Sequence, residues 1–271
     1  MTPTDQRHLH YQGYRATPPL WRDGVLTEHR QIDLPSGPDK LLPTEKDLPR
    51  RLGKRTEAFV FHQLRNTPGI EWIADGLQIQ ENRRTVGELD ALYYDQGTPV
   101  HLEVAYKFYL YDTLGEAADP LARWIGPNRK DNLSLKLRKL RERQFPLLHH
   151  SASQPYLTAY GLAADQCAQR VCCKGQLYLP YDDREVGIGP LNRACVAGFH
   201  LPFRELERLA GFRFYVPRKL DWLIVPHDGV RWLDHADAKL RINDDIREGR
   251  SPLVWWRSGE ESVGRCFLTA W

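Results

Sequence analysis

The sequence has no long hydrophobic run and only five cysteines, and both features bear on where the protein works. No segment of the 271 residues approaches the roughly 18 consecutive apolar residues that a transmembrane helix needs. The polar start, MTPTDQRHLHYQGYR, lacks the apolar core of a secretory signal. An odd number of cysteines in a chain of this length argues against a disulfide framework. We therefore expect a soluble cytoplasmic protein with reduced thiols and no membrane contact.

Several catalytic motifs are also missing. The sequence contains no G-x4-G-K-[ST] phosphate loop, no G-x-S-x-G nucleophile elbow and no dinucleotide-binding glycine fingerprint. ATP hydrolysis and serine-hydrolase chemistry therefore lose most of their support. Cys167, Cys172 and Cys173 have the spacing C-x4-C-C, and no C-x2-C pair accompanies them. We interpret them as small apolar residues of a buried strand rather than as zinc ligands.

Composition and charge are those of an ordinary globular protein. Hydrophobic residues make up 41% of the chain and charged residues 27%, and the net charge is only +3. This mild positive charge does not by itself imply a polyanionic partner. The length suits one large domain or two small ones. We divide the chain into an irregular leader (1–50), an α/β core (51–150) and a C-terminal α/β extension packed on that core (151–271).

The core region carries the clearest secondary-structure patterns. Apolar residues at helical spacing predict a helix over 55–66, closed by Pro68 and Gly69. Alternating apolar residues predict three consecutive strands, over 71–81, 85–95 and 100–112. A stripe of leucines predicts an amphipathic helix that starts near Asp131. Together these patterns predict an α/β fold with a mixed central sheet flanked by helices.

The second and third of these strands carry charged residues on one face. Because alternate residues of a strand share a face, Glu88 and Asp90 project together from the second strand. Glu103 and Lys107 project together from the third strand. Clustered carboxylates repel, and a hard divalent cation, Mg²⁺ or Mn²⁺, is the simplest way to hold them together. A solvated pair of acids on the open face of an antiparallel hairpin would show the same alternation.

This constellation resembles the PD-(D/E)XK, or restriction-endonuclease-like, nuclease superfamily. The resemblance implies a nuclease-like core in which Asp90 is the first acid and Glu103 the second. It makes Glu57 the glutamate of a preceding helix, although a negative charge near a helix start is favourable in any case. Glu88 is a further candidate metal ligand beside Asp90 and Glu103, a partner for Lys107, or a simple surface carboxylate.

The lysine departs from the superfamily pattern. The usual acid–X–lysine spacing puts a lysine where this chain has Ala105. Lys107 lies two residues further on, about 7 Å along the strand and on the same face. A long side chain reaches back over such a distance, so Lys107 is the candidate to orient or activate water. The displaced lysine favours the alternative of a protein that keeps the nuclease fold without turnover.

A closer resemblance covers about residues 50–180. The segments RTVGELDALYYD, HLEVAYKFYLY, GPNRKDNLSLKLRKLRERQ and KGQLYLP look like a bacterial family of domains of unknown function, number 1853. This resemblance implies the nuclease-like core and no particular substrate.

The predicted helix after Asp131 is strongly basic. Residues 129–143 contain seven basic and two acidic side chains. Such a helix is typical of phosphate contacts, in which counterion release drives binding, but a solvated helix face has the same composition. Lys136 lies next to the leucine stripe, so we expect it nearest to the sheet. The candidate nucleic-acid contacts are Arg129, Lys130, Lys136, Lys139 and Arg143.

Three functions fit these features. The first is a Mg²⁺- or Mn²⁺-dependent nuclease that hydrolyses DNA, with RNA a less favoured substrate. In it, Asp90 and Glu103 bind metal, Glu57 supports them, and Lys107 stabilises developing charge. The second is a catalytically inactive nuclease-fold protein that binds nucleic acid or serves as a scaffold. The third is a small-molecule phosphodiesterase, or an unrelated enzyme that uses the same acidic face, and it would show little salt-dependent affinity for nucleic acid.

Overall fold

A ten-stranded sheet runs through the chain and carries helices on both faces. The computed structural model describes residues 3–34, 42–115, 117–259 and 262–271. The α-helices of these residues are α1 Pro3–Ala16, α2 Leu52–Arg65, α3 Leu133–Lys139, α4 Phe145–Leu147, α5 Gln154–Ala159 and α6 His235–Arg247. The strands are β1 Arg30–Gln31, β2 Ile70–Glu81, β3 Arg84–Asp95, β4 Thr98–Tyr111, β5 Trp124–Ile125, β6 Ala168–Pro180, β7 Val196–Pro202, β8 Arg213–Tyr215, β9 Leu253–Ser258 and β10 Ser262–Thr269.

The sheet is mixed, with the order β2-β3-β4-β6-β7-β10-β9-β8, and with β1 beside β6 and β5 beside β4. Strands β2, β3 and β4 form an antiparallel meander. Both of its turns, Asn82–Arg83 and Gln96–Gly97, have positive φ at both residues, as a two-residue type I′ turn requires. Strands β4, β6, β7 and β10 run parallel to one another, and β9 and β8 close the far edge antiparallel. The predicted α/β fold with a mixed sheet is confirmed.

Strand β4 is buried on both faces because each face packs in a separate apolar cluster. Val104 and Phe108 belong to the cluster that includes the apolar side chains of α2. Ala105 and Tyr109, on the other face, pack in the cluster that includes the leucines of α3. The alternation in this segment therefore separates two covered faces and not a core face from an open one.

Two expectations from the sequence need correction. The interpretation of Asp90 and Glu103 as a solvated pair on an open hairpin face is wrong, since they are 7% and 0% exposed. The leader over 1–50 is less irregular than its composition predicts, because α1 is a regular helix of 14 residues. Tyr11 and Tyr14 of α1 pack against Phe59 of α2, which ties this helix to the core.

The α-helices are short or amphipathic. Within the described ranges, none combines the length and the apolar character needed to cross a membrane.

Candidate functional site

A groove of about 550 Å³ lies where α2, β3, β4 and α3 meet. We call it the acid groove. The pairing of β3 with β4 ends at Ala91 and Leu102, and the two strands separate beyond this point at the floor of the groove. Asp90 and Glu103 are the first unpaired residue of each strand. The charged residues that line the groove are Lys54, Glu57, Glu88, Asp90, Lys107, Lys136, Lys139 and Arg143.

Three carboxylates converge in this groove. Glu57 of α2 and Glu88 and Asp90 of β3 each offer an oxygen, and these oxygens lie within 4.8 Å of one another. Asp90 Oδ2 also accepts a hydrogen bond of 2.8 Å from the Val104 N–H, which joins the two strands where their ladder has ended. Glu57 lies beyond the first turn of α2, so a favourable interaction with the start of the helix does not account for it.

The carboxylates resist ionisation in this position. Burial, together with the negative charge of Glu103, raises the pKa of Asp90 to about 7. Burial likewise raises the pKa of Glu57 to about 7, with the charge of Asp90 adding to the effect. A bound cation would relieve both effects, because it favours the charged form of each carboxyl group.

Lys54, one turn before Glu57 on α2, already neutralises part of this charge. Its Nζ lies 2.7 Å from Glu57 Oε2 and 2.6 Å from Glu88 Oε1. Burial lowers the pKa of Lys54, but hydrogen bonds to Glu57 and Glu88 outweigh burial and raise the pKa above its ordinary value. The three carboxylates fit a hard divalent cation by their chemistry, provided that Lys54 releases its two partners. The sequence contained a signal for Lys54, since it precedes Glu57 by three residues on one helix face.

Glu103 lies beside the three carboxylates and not among them. Burial raises its pKa to about 7, against the positive charge of Lys136. His101 Nε2 lies 3.1 Å from Glu103 Oε1, and Gln144 Nε2 donates to Glu103 Oε2. Burial lowers the pKa of His101 to about 4, so the ring is neutral. Its Nε2–H donates to Glu103, and its Nδ1 accepts from Gln169 Nε2 at 3.1 Å.

Lys136 reaches the same group of acids from α3. Its Nζ donates a hydrogen bond of 2.9 Å to Gln144 Oε1, and Gln144 in turn donates to Glu103. Burial lowers the pKa of Lys136, although the nearby charges of Glu103 and Asp90 favour its protonated form. Glu103 therefore positions Lys136 through Gln144. The expectation that Lys136 is the basic residue nearest the sheet agrees with this arrangement.

A π-helical turn brings Lys136 and Gln144 onto one face. Helix α3 continues through a π-helical turn, Leu140–Gln144, into α4. Residues eight apart in a regular α-helix differ by about 80° around the axis, at roughly 100° per residue. The π turn contains one residue more than a regular turn, so Lys136 and Gln144 are related as residues seven apart in a regular helix. Their angular offset is then about 20°, in the opposite direction. The two side chains consequently meet.

The other predicted basic residues have different surroundings. Lys107 lines the groove, but its Nζ pairs with Asp131 Oδ2 at 2.6 Å and not with the three carboxylates. Lys139 and Arg143 are exposed on the rim of the groove. Arg129 is bound to Asp112 at 2.7 Å and stacks over the Trp271 ring. Lys130 is exposed near the start of α3.

The fold and the groove define an α/β protein with a partly buried cluster of three carboxylates beneath a basic rim. Residues 29–261 match the model of the family described as "Domain of unknown function (DUF1853)". The chain belongs to this family. No curated protein and no solved structure matches the chain significantly.

Proposed function

We propose that this protein is a divalent-metal-dependent phosphodiesterase that hydrolyses nucleic acid, with DNA as the favoured substrate. The observation that carries this proposal is the convergence of Glu57, Glu88 and Asp90 beneath a basic rim. Asp90 is buried, and Glu57 and Glu88 are half-buried, so their ionised forms carry a desolvation cost that opposite charge offsets. A catalytic use explains why the chain retains several of them at one place.

Glu57, Glu88 and Asp90 are the residues that would hold Mg²⁺ or Mn²⁺. The bound ion would supply Lewis-acid chemistry, lowering the pKa of water and neutralising phosphate charge. Lys136, held by Gln144, places a positive charge beside the carboxylates, where negative charge develops on phosphoryl oxygens. Lys139 and Arg143 on the rim bind the phosphate backbone.

This proposal includes a restriction-endonuclease-like ancestry. The order of a helix with Glu57, a strand with Asp90 and a strand with Glu103 supports it. Ala105 stands at the usual lysine position of that superfamily. We propose that Lys136 supplies the missing charge from the following helix, since it lies near both Glu103 and Asp90.

The second candidate is a nucleic-acid-binding protein without turnover. The bridge that Lys54 makes between Glu57 and Glu88 favours it, because a resident ammonium group satisfies these carboxylates without a metal ion. The pairing of Lys107 with Asp131 also favours it.

A cleavage assay tests the two candidates. Purified protein is incubated with labelled single-stranded DNA, duplex DNA and RNA, in Mg²⁺, Mn²⁺ or EDTA. We expect metal-dependent cleavage that falls by at least about 100-fold in Asp90→Ala. Glu81→Ala, which removes an exposed carboxylate outside the groove, is the matched control and should cleave normally. Salt-sensitive binding without any cleavage, unchanged in Asp90→Ala, would establish the second candidate.

Metal titration of Lys54→Met gives an independent readout. Removing the ammonium group frees Glu57 and Glu88, so we expect Mn²⁺ to bind severalfold more tightly than to the wild-type protein by isothermal titration calorimetry. Lys130→Met removes an exposed charge outside the groove and should leave the affinity unchanged. Equal Mn²⁺ affinity in Lys54→Met and the wild-type protein would show that Lys54 does not compete with the ion.

A further inference from the structure

A second pocket adjoins the acid groove and is unlike it in character. It has a volume of about 530 Å³ and shares Gly53, Tyr106 and Lys107 with the groove. This volume lies within the range of roughly 300–1,000 Å³ that is usual for small-ligand sites. We call it the aromatic pocket. Because the two cavities share these three lining residues, they lie side by side, and a strand of nucleic acid in the acid groove would pass next to the aromatic pocket.

One wall of this pocket is a rigid aromatic surface. Trp222 is half-buried, and Phe108 lies beside it in the same wall. The Trp222 ring meets Phe108 edge to face at 5.4 Å and Phe267 edge to face at 5.2 Å. These two contacts fix the orientation of the indole. A fixed and partly exposed indole is a stacking platform for any nucleobase, because every base has a π face.

The rest of the lining is positively charged. Arg50, Arg51 and Lys219 are exposed at this pocket, and Lys219 Nζ lies 5.6 Å from the centre of the Trp222 ring. Asp131 is the acidic residue of the lining, and it is paired with Lys107. Helix α2 starts here, so its positive end adds to the field. The cations complement the phosphate group of a nucleotide, and the aromatic wall complements its base.

We propose that the aromatic pocket binds one unpaired nucleotide of the strand whose backbone lies in the acid groove. The base stacks on Trp222, and the adjoining phosphate is held by Arg50 and Arg51. This inference rests on the proposed function and names its substrate class. Bases of an intact duplex are stacked and paired, so they reach Trp222 only after being unstacked. The substrate is therefore a single strand, or a duplex with a single-stranded segment.

Binding in EDTA tests this inference without depending on catalysis. The probes are a fluorescein-labelled thymidine oligonucleotide and an abasic strand of the same length and charge, compared by fluorescence anisotropy. We expect the wild-type protein to bind the thymidine strand at least about fivefold more tightly than the abasic strand. Trp222→Leu should remove that preference, and Trp222→Phe should retain most of it. Arg51→Gln should weaken both probes alike, because it contacts phosphate.

Trp72→Leu is the matched control, since Trp72 is also a half-buried indole but lies on β2 outside both cavities. It should keep the preference. If Trp222→Leu fails to fold, cross-linking of a 5-iododeoxyuridine strand to the wild-type protein replaces it. A cross-link mapped to Trp222 by mass spectrometry supports the inference, and cross-links found only elsewhere overturn it.

The outcomes separate this inference from the proposed function. Metal-dependent cleavage with no preference for bases over abasic sites would overturn the nucleotide pocket and leave the phosphodiesterase standing. A preference that persists in Trp222→Leu would likewise overturn it. Failure of every polynucleotide to bind or to be cleaved would overturn both.

Discussion

At the scale of single residues, Lys136 and Lys107 are the two candidates for the catalytic cation of the proposed phosphodiesterase. Lys136 is linked through Gln144 to Glu103 and lies near Asp90, whereas the ammonium group of Lys107 is held by Asp131. A charge that is fixed beside the reacting phosphate stabilises the transition state and raises kcat. A charge on the groove wall strengthens substrate binding and lowers KM.

We therefore expect Lys136→Met to lower kcat by about 100-fold or more, with a small change in KM. Lys107→Met should raise KM and change kcat by less than about fivefold. Lys139→Met removes a rim charge that binds phosphate, so it should raise KM and leave kcat unchanged, and it controls for a general loss of positive charge. Steady-state kinetics at saturating Mg²⁺ measure all three. A larger loss of kcat in Lys107→Met than in Lys136→Met would return the catalytic role to Lys107.

We expect Asp90 to make the stability of the metal-free protein depend on pH. Burial raises its pKa from 3.8 to about 7, so between these values the native state binds a proton that the unfolded state has lost. The free energy of unfolding contributed by this group therefore falls as the pH rises from about 4 to about 7. Asp90→Asn removes the charge and keeps an oxygen that accepts from the Val104 N–H.

In EDTA, Asp90→Asn should melt several degrees above the wild-type protein at pH 8 and close to it at pH 4.5. Thermal unfolding followed by circular dichroism measures the difference. The exposed Asp165→Asn should show no such dependence. A lower melting temperature for Asp90→Asn at pH 8 would mean that the carboxylate is stabilising and already compensated.

The sequence predicted the acids of this site better than its cations. Strand alternation was enough to group Glu88 with Asp90, and the resemblance to the PD-(D/E)XK superfamily added Glu57. The partners of Glu103 depend on how α3 and α4 cross the sheet, which no local pattern contains. His101 is an example. In the sequence it is an ordinary strand residue, and only the fold brings Glu103 to its Nε2 and Gln169 to its Nδ1.

At the scale of elements, the π-helical turn has a signature in the apolar stripe. Leu133, Leu137 and Leu140 follow helical spacing, and the next buried residue of the stripe is Phe145, five residues on. Regular spacing would put an apolar residue at 144, where the chain has Gln144. A spacing of five residues between buried positions of one helix thus indicates one inserted residue. The polar residue at the regular position, Gln144, faces the site.

A deletion and an insertion in this turn test its role. Deleting Glu142, which is exposed, places Gln144 seven positions after Lys136, which is an offset of about 20° in a regular helix. We expect this variant to keep its melting temperature within a few degrees and to retain activity. Inserting one alanine after Glu142 turns Gln144 and Phe145 by about 100° and should lower both. Circular dichroism melts and the cleavage assay report the two effects. Equal melting temperatures and equal cleavage activities of the two variants would contradict the role given to the π-helical turn.

Strands and helices with strong periodicity were predicted well, and α1 was not. The segment Pro3–Ala16 is mostly polar, so its own pattern gives little helical signal. Its stability comes from tertiary contacts, in which Tyr14 donates to Gln63 Oε1 and His10 Nε2 lies 2.8 Å from Asp221 Oδ1. Such packing overrides local propensity, and a single sequence does not reveal it.

At the scale of the whole molecule, the sheet joins the two halves that the sequence separates. Strand β4 of the first half pairs along 11 positions, Val100–Leu110, with β6 of the second half. One apolar cluster contains Phe59 and Val104 together with Trp255 and Phe267. The division of the chain near residue 150 remains a prediction, and this shared core argues that the first half depends on the second for its stability.

A fragment of residues 1–150 tests that dependence. It contains Glu57, Glu88, Asp90 and Lys136, but it lacks β6, so β4 would present an unpaired edge and a face stripped of its apolar partners. Exposed strand edges of this kind promote aggregation, and loss of half a core removes cooperative unfolding. We expect the fragment to aggregate, or to give a broad thermal transition by circular dichroism, where the full chain melts cooperatively. A soluble fragment with a sharp transition and retained Mn²⁺ binding would instead establish the first half as an autonomous domain.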